Sequence, residues 1–345
     1  MVREAKTVNY NEEGLPDGVP TYLVDQAETY RTSPRDAGLE WFSGAYIGLS
    51  VTYGLHSLVG RGEHILRDKG ISGDGYRKLA DNLTGVHFDA IDIVELAIAS
   101  GARYIHFPVI GEDGFTMSGT EHNEYNSVSS AARRDFAAEL GSTCEYNGLG
   151  LILECHLGCD LLRHPDGMSA AEVHDHVERM REQIHTLLLS CGPVAAIAFS
   201  GIDAVRGREA EFELESLYKM VGIIQPQCLV SFQQGLRGEE DYLTAETLLP
   251  ESSAAPEVRG LISGNSSKPL EIAVNMTPDE RSYNADAAGR HLNLDALWEK
   301  LRYAHINQAN LRINIALMPD GSLDLEDINT LLEFGKRLEK EGLPG

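Results

Sequence analysis

The chain has 345 residues, room for one large core or two ordinary ones, and its 42% hydrophobic and 24% charged content excludes a disordered chain. A formal net charge of −24 repels nucleic-acid phosphates, and no basic run interleaved with aromatics offsets it. No apolar run approaches a membrane span and MVREAKTVNYNEEG has no signal-peptide core, so a cytoplasmic location is expected, with the five scattered cysteines reduced.

In chain order, short apolar or branched runs alternate with longer amphipathic ones. AYIGLSVTY at 45–53 reads as a first strand, and RYIHFPVI at 103–110 as a second, entered from a helix over 88–99. A helix over 131–147 leads to a third strand at 151–157. A helix over 169–190, with Val173, Met180, Ile184, Leu187 and Leu188 at helical spacing, feeds a fourth strand ending at Ser200. A helix over 208–221 precedes a fifth strand within 227–235. Later strands are expected at 271–276 and 311–317, separated by a helix over 294–307 and followed by one over 325–340.

This rhythm predicts an α/β chain with parallel strands shielded by helices: a TIM-like (β/α) barrel, irregular in having seven clear strands, with a doubly wound sheet as the alternative. The eighth strand is sought at 21–24. Residues 1–37 read as an N-terminal extension packed on a single barrel domain spanning 38–345. The acidic, serine- and glycine-rich stretch 236–268 reads as an irregular excursion.

The landmarks WFSGAYIGLSVTYGLHSL (41–58), FDAIDIVELAIASGARYIHFPVIGEDGF (88–115), YNSV (125–128) and RRDF (133–136) come in a distinctive order. GLGLILECHL, GPVAAIAFSG, LEIAVNMT and ANLRINIALMPDG continue it. Over 38–325 the chain resembles the family of retaining α-L-fucosidases. The resemblance implies a barrel acting on carbohydrate, and it also exposes departures. The histidine-tryptophan pair expected at the end of strand one falls on Thr52 and Tyr53. The paired histidines after strand two fall on Gly111 and Glu112. The strand-four aspartate nucleophile falls on Ser200, and the tryptophan before it on Ala198. A retaining glycosidase needs a carboxylate nucleophile and a second acid/base carboxyl, and serine replaces neither.

Candidate chemistry is therefore sought elsewhere. Glu154 and His156 share one strand face, suited to proton exchange at a barrel mouth, with an internal salt bridge as the structural alternative; Cys155 points oppositely, into packing. Glu112 is a candidate acid/base, whereas Asp113 organises its loop. Glu271 is a candidate acid/base or an anchor for Arg312. Tyr53, Ser200, Asp203, Asn275, Tyr283 and Arg312 are candidate ligand contacts; His106 reads as a satisfied core histidine. Cys155, His156, Cys159 and His164 lack metal-motif spacing, and neither a phosphate cradle nor a dinucleotide fingerprint occurs, so no metal or cofactor is expected. The partner expected is a polar small molecule or carbohydrate, with homo-oligomerisation left unspecified. Three functions stay open: a glycoside-active protein of altered specificity or mechanism using displaced carboxylates, a non-hydrolytic sugar-binding protein, and a barrel enzyme for a non-glycosidic polar metabolite.

Overall fold

The computed structural model describes residues 18–62, 65, 73–121, 123–158, 168–246, 267–278 and 280–345. Its centre is one eight-stranded parallel sheet: β1 Ile47–Thr52, β2 Tyr104–Ile110, β3 Gly150–His156, β4 Val194–Ser200, β5 Leu229–Phe232, β6 Leu243–Glu246, β7 Leu270–Asn275 and β8 Ala309–Ala316. The spatial order is β5-β4-β3-β2-β1-β8-β7-β6. At the remaining seam, Ser231 bridges Tyr242 in parallel, and the amides of Asp241 and Thr244 donate to Val230 and Gln233 carbonyls at 2.7 and 2.8 Å. The sheet is thus a nearly closed (β/α) barrel.

The eighth strand is not at 21–24. Thr21–Gln26 is a 3-10 helix behind Pro20, with Tyr22 edge-on to Trp41 at a centroid distance of 4.6 Å. The missing strand is β6, inside the stretch read as irregular. Its four residues, LTAE, are too few to display alternation against a polar background. Residues 247–266 of that stretch lie outside the described residues.

The main shielding helices are α1 Pro34–Ser43, α2 Ala90–Ala99, α3 Phe136–Asn147, α4 Ala170–Ser190, α5 Leu214–Ile224, α6 Leu294–Ile306 and α7 Leu325–Glu341. Several begin on side-chain caps, including Ser33, Asp89, Asp135, Asn293 and Asp324, and Ser169 makes a full capping box with Glu172. α5 starts later than its pattern suggested, at Leu214 rather than 208, because the preceding residues turn and Glu213 takes a positive φ of 48°.

The barrel has two cores. Outward strand residues such as Leu49, Val51, Leu153, Cys155, Ile197 and Ile313 pack against the helices. The N-terminal end of the interior is filled by Tyr22, Trp41, Phe42, Tyr104, Ile152 and Tyr242. These rings explain two glycines on the inner face. A Cβ at Gly48 would fall 2.0 Å from the Tyr104 ring, and one at Gly150 would fall 2.4 Å from Trp41. The aromatic plug closes the bottom of the barrel, leaving polar inward positions to occupy its upper half. Among the described residues, no helix is long and apolar enough to cross a membrane, and the four described cysteines, Cys144, Cys155, Cys191 and Cys228, are buried and unpaired.

Candidate functional site at the barrel mouth

Inward side chains near the strand C-termini are where a barrel builds its site. Here they form two tiers. In the lower tier Glu271, fully buried on β7, accepts from Tyr104 Oη at 2.6 Å and Thr244 Oγ1 at 3.1 Å, and lies 3.0 Å from Arg312 Nη1. The same Arg312 Nη1 is 2.9 Å from His106 Nε2, whose Nδ1 faces Ser50 Oγ at 3.1 Å. With Arg312 donating, His106 is neutral and carries its proton on Nδ1. Burial, reinforced by Arg312, holds its proton affinity well below the ordinary imidazole range. Burial and then Glu271 push the Tyr104 phenol far up, so it stays a donor.

The upper tier begins at Glu154. Arg281, from the loop after β7, clamps it with Nη1 at 2.7 Å from Oε2 and Nη2 at 3.0 Å from Oε1. His106 Nε2 approaches the same carboxylate at 3.6 Å. Burial acts to raise the Glu154 proton affinity, but the charge and hydrogen bonds of Arg281, with Arg312 behind it, overcome it and hold the group well below the usual carboxylate range. A carboxylate so held is a weak base and cannot donate a proton at neutral pH. Above it, Arg281 joins Tyr53, His56, Tyr76, Gly111, Glu112, Asp113 and His156 around a cavity of about 30 Å³. That volume has room for a water, not for a sugar ring.

Asp113 is buried, and burial raises it from 3.8 to about 6 even though Oδ1 accepts from the Phe115 amide at 2.9 Å. Its role in organising the Gly114 turn agrees with the reading from sequence, while its titration near neutrality was not visible there. Glu112 beside it is half-buried and lines the cavity. His156 also lines it, with Nδ1 accepting from the Gly158 amide at 3.2 Å.

Three inward groups near the upper strand ends are buried and lack a hydrogen-bond partner among the described residues: Thr52 Oγ1 on β1, Ser200 Oγ on β4 and Asn314 Oδ1 on β8. Ser200 pairs in register with His156 and Thr52 with Ala316, so two of these orphans stand at the rim itself. Buried polar groups rarely go unsatisfied, and each one calls for a water or a ligand.

The sequence-selected residues divide accordingly. Glu112 and His156 reach the cavity; Glu154 lies beneath it, held by Arg281. Glu271 does not reach the mouth: it is the anchor of Arg312, and that ion pair removes both residues from the accessible site. Tyr53 only borders the cavity. Its ring packs outward against Phe88 and Phe136, and its hydroxyl donates to the Pro319 carbonyl at 3.2 Å, because odd positions of β1 face the helices. Asn275 accepts from Asn314 Nδ2 at 2.8 Å. Asp203 is exposed on the one-turn helix Ile202–Val205, away from the cavity lining. Tyr283 packs on the loop after β1, where a Cβ at Gly60 would meet its ring at 3.3 Å. Cys155 is buried in the strand-helix layer as its alternation required, so it cannot join His156 on a metal; Cys159 and His164 lie outside the described residues. Sequence reasoning missed Arg281, which sits in the turn sequence TPDERSYN with no periodic signal.

The alpha-L-fucosidase family model matches residues 24–343. No curated protein matches the sequence. Among solved structures, the α-L-fucosidase AlfC from Lactobacillus casei in complex with α-L-fucose product is 20% identical with a TM-score of 0.73, over 88% of this chain and 98% of that one. The α-L-fucosidase isoenzyme 1 from Paenibacillus thiaminolyticus is 19% identical with a TM-score of 0.76, over 90% of this chain and 77% of that one. A bacterial fucosidase with a monovalent iminocyclitol inhibitor gives 0.77 at 16% identity, over 88% of this chain and 74% of that one. At these identities the structures speak for the barrel. The family match covers nearly the whole chain, and the chain belongs to the α-L-fucosidase family.

Proposed function

We propose that this chain is a sugar-recognising member of its family in which double-displacement hydrolysis has been lost. The observation that carries the reading is the set of orphaned polar groups at Thr52, Ser200 and Asn314. A saccharide hydroxyl both donates and accepts, so it can satisfy these groups, whereas none of them can form a stable glycosyl ester. The inward carboxylate on β3 beneath the cavity, Glu154, is already bound on both oxygens by Arg281. A nucleophile needs a reachable, electron-rich oxygen and a general acid needs a proton; the Arg281 clamp makes Glu154 a poor donor of electrons and keeps it ionised. The family and the sugar ligands of its solved members, such as Fuca(1,6)GlcNAc bound to a substituted AlfC, support a carbohydrate as the ligand class. The small cavity means that the sugar docks shallowly, or that Arg281 swings off Glu154 to admit it.

A second reading has one observation in its favour. Asp113, pushed up to about 6, adjoins Glu112 at the cavity, giving two carboxyls in unlike environments. That pair would support hydrolysis by displaced carboxylates. A panel of 4-nitrophenyl glycosides, the α-L-fucoside included, separates the two. The first reading expects saturation-transfer NMR signals from a sugar without release of 4-nitrophenol. Turnover that falls at least tenfold in both Glu112→Gln and Asp113→Asn would favour the second. Turnover with retained configuration that survives both substitutions contradicts both, and conversion of a non-glycosidic metabolite alone would move the protein out of carbohydrate chemistry.

A further inference from the structure

The loop that supplies Arg281 continues through His291 to the start of α7. There a ring nitrogen of His291 and one carboxylate oxygen each from Asp324 and Glu326 lie within 4.8 Å of one another. Two acids at a helix start are unremarkable in themselves. The imidazole is what sets this place apart. Its side chain is 8% exposed, and Nδ1 sits 2.6 Å from Oδ1 of Asp327, which is 2% exposed. With Nδ1 held by a buried carboxylate, Nε2 is the ring nitrogen left to meet an ion. A carboxylate fixing one nitrogen while the other stays available is the arrangement that orients metal-binding histidines.

The acids are fixed as well. Asp324 Oδ1 accepts the Glu326 amide at 2.8 Å as the helix cap, and Glu326 Oε1 accepts the Gly289 amide at 2.6 Å. Each retains a second oxygen for an ion. The groups acting on His291 are all carboxylates, Asp327 first and then Asp324 and Glu326, so the cluster is an excess of negative charge around one imidazole. The positive end of the α7 dipole opposes a cation, but it carries only about half a charge. Three carboxylates outweigh it.

We propose that His291, Asp324 and Glu326 bind one divalent transition-metal ion, Zn²⁺ fitting best, with Asp327 orienting His291. One imidazole and two carboxylates are three protein ligands, which leaves a fourth tetrahedral position for water. At bonds of about 2.1 Å the donor atoms of a tetrahedral site stand roughly 3.4 Å apart, so the three side chains draw inward around the ion. Filling the site cross-links the Arg281 loop to α7, far along the chain from the mouth carboxylates.

The test uses the full chain, stripped with EDTA and dialysed, titrated with ZnCl₂ by calorimetry at pH 7.5 with metal content read by mass spectrometry. Wild type is expected to take up one equivalent more than Asp324→Asn and Glu326→Gln, and its Tm should rise with Zn²⁺ where theirs does not. Asparagine still caps the helix and glutamine still accepts from Gly289, so both variants keep the local fold. Asp327→Asn is expected to weaken Zn²⁺ by about ten- to a hundredfold without abolishing it. Equal uptake and equal Tm shifts in wild type and both ligand variants would overturn the site, as would no uptake by wild type at tens of micromolar Zn²⁺.

Discussion

The two tiers of the barrel interior use the same residue types to opposite ends. In the lower tier Glu271, Arg312, Tyr104, Thr244 and His106 are tied to one another by hydrogen bonds and an ion pair, away from solvent. At the upper rim the hydroxyls of Thr52 and Ser200 have no partner among the described residues, and Glu112 and His156 border the cavity. The lower network is therefore structural, and the upper groups are those on which the proposed sugar site rests. The lesson is that alternation along a strand tells which face a side chain takes, whereas its height in the barrel decides whether it does chemistry.

The lower tier is expected to be most sensitive at Arg312. Arg312→Met strands Glu271 as a buried charge and is expected to cost about 3–5 kcal/mol, read as a lower urea midpoint. Adding Glu271→Gln should recover most of that loss, because the remaining groups are neutral. If the double variant is as unstable as the single one, the lower tier is not a self-contained ion pair.

Arg281→Ala should cost less, about 2–3 kcal/mol, because the freed Glu154 carboxylate adjoins the cavity and can recruit water. Its signature is a titration. Without Arg281, burial dominates and the Glu154 proton affinity should rise from well below the carboxylate range to above it, measurable by NMR. A Glu154 signal still fully ionised at pH 3 in the variant would show that Arg281 is not what holds it.

Asp113 gives a pH effect of the opposite sign. Its folded value, about 6, lies above the ordinary 3.8, so folding favours the protonated form. The resulting contribution is fully present below pH 3.8 and is lost as pH rises through about 6. Its size is on the order of 3 kcal/mol. Asp113→Asn should remove this slope from the stability profile while keeping the acceptor for the Phe115 amide. An unchanged slope between pH 4 and 6.5 would assign it to other groups.

The smallest effect is expected at Ser200. Its hydroxyl has no partner to lose, so Ser200→Ala should leave stability within about 1 kcal/mol of wild type, or raise it slightly. Sugar binding should nevertheless weaken. A large loss of stability would mean that an ordered water, rather than a ligand, satisfies the serine.

Much of this architecture was legible beforehand. Seven strands and the large helices followed from alternating and helical spacing, and the opposed directions of Glu154 and Cys155 followed from strand geometry. Three things were not. β6 is four residues long in a polar stretch, so it carries too little pattern to recognise. The sealing of Glu271 depends on Tyr104, from a strand far away in the chain, and on Thr244, from the unrecognised β6. Arg281 sits in an irregular turn whose course is set by tertiary packing, and no local spacing announces that it reaches Glu154.

The most direct test of the central claim is a parallel NMR and chromogenic assay of wild type and Ser200→Ala with monosaccharides and 4-nitrophenyl α-L-fucopyranoside. We expect saturable sugar signals in wild type, weaker ones in Ser200→Ala, and no release of 4-nitrophenol by either. Release with retained configuration by wild type would contradict the account, because it would require a nucleophilic carboxylate at a mouth where the described residues bring only the clamped Glu154 and the Glu112/Asp113 pair.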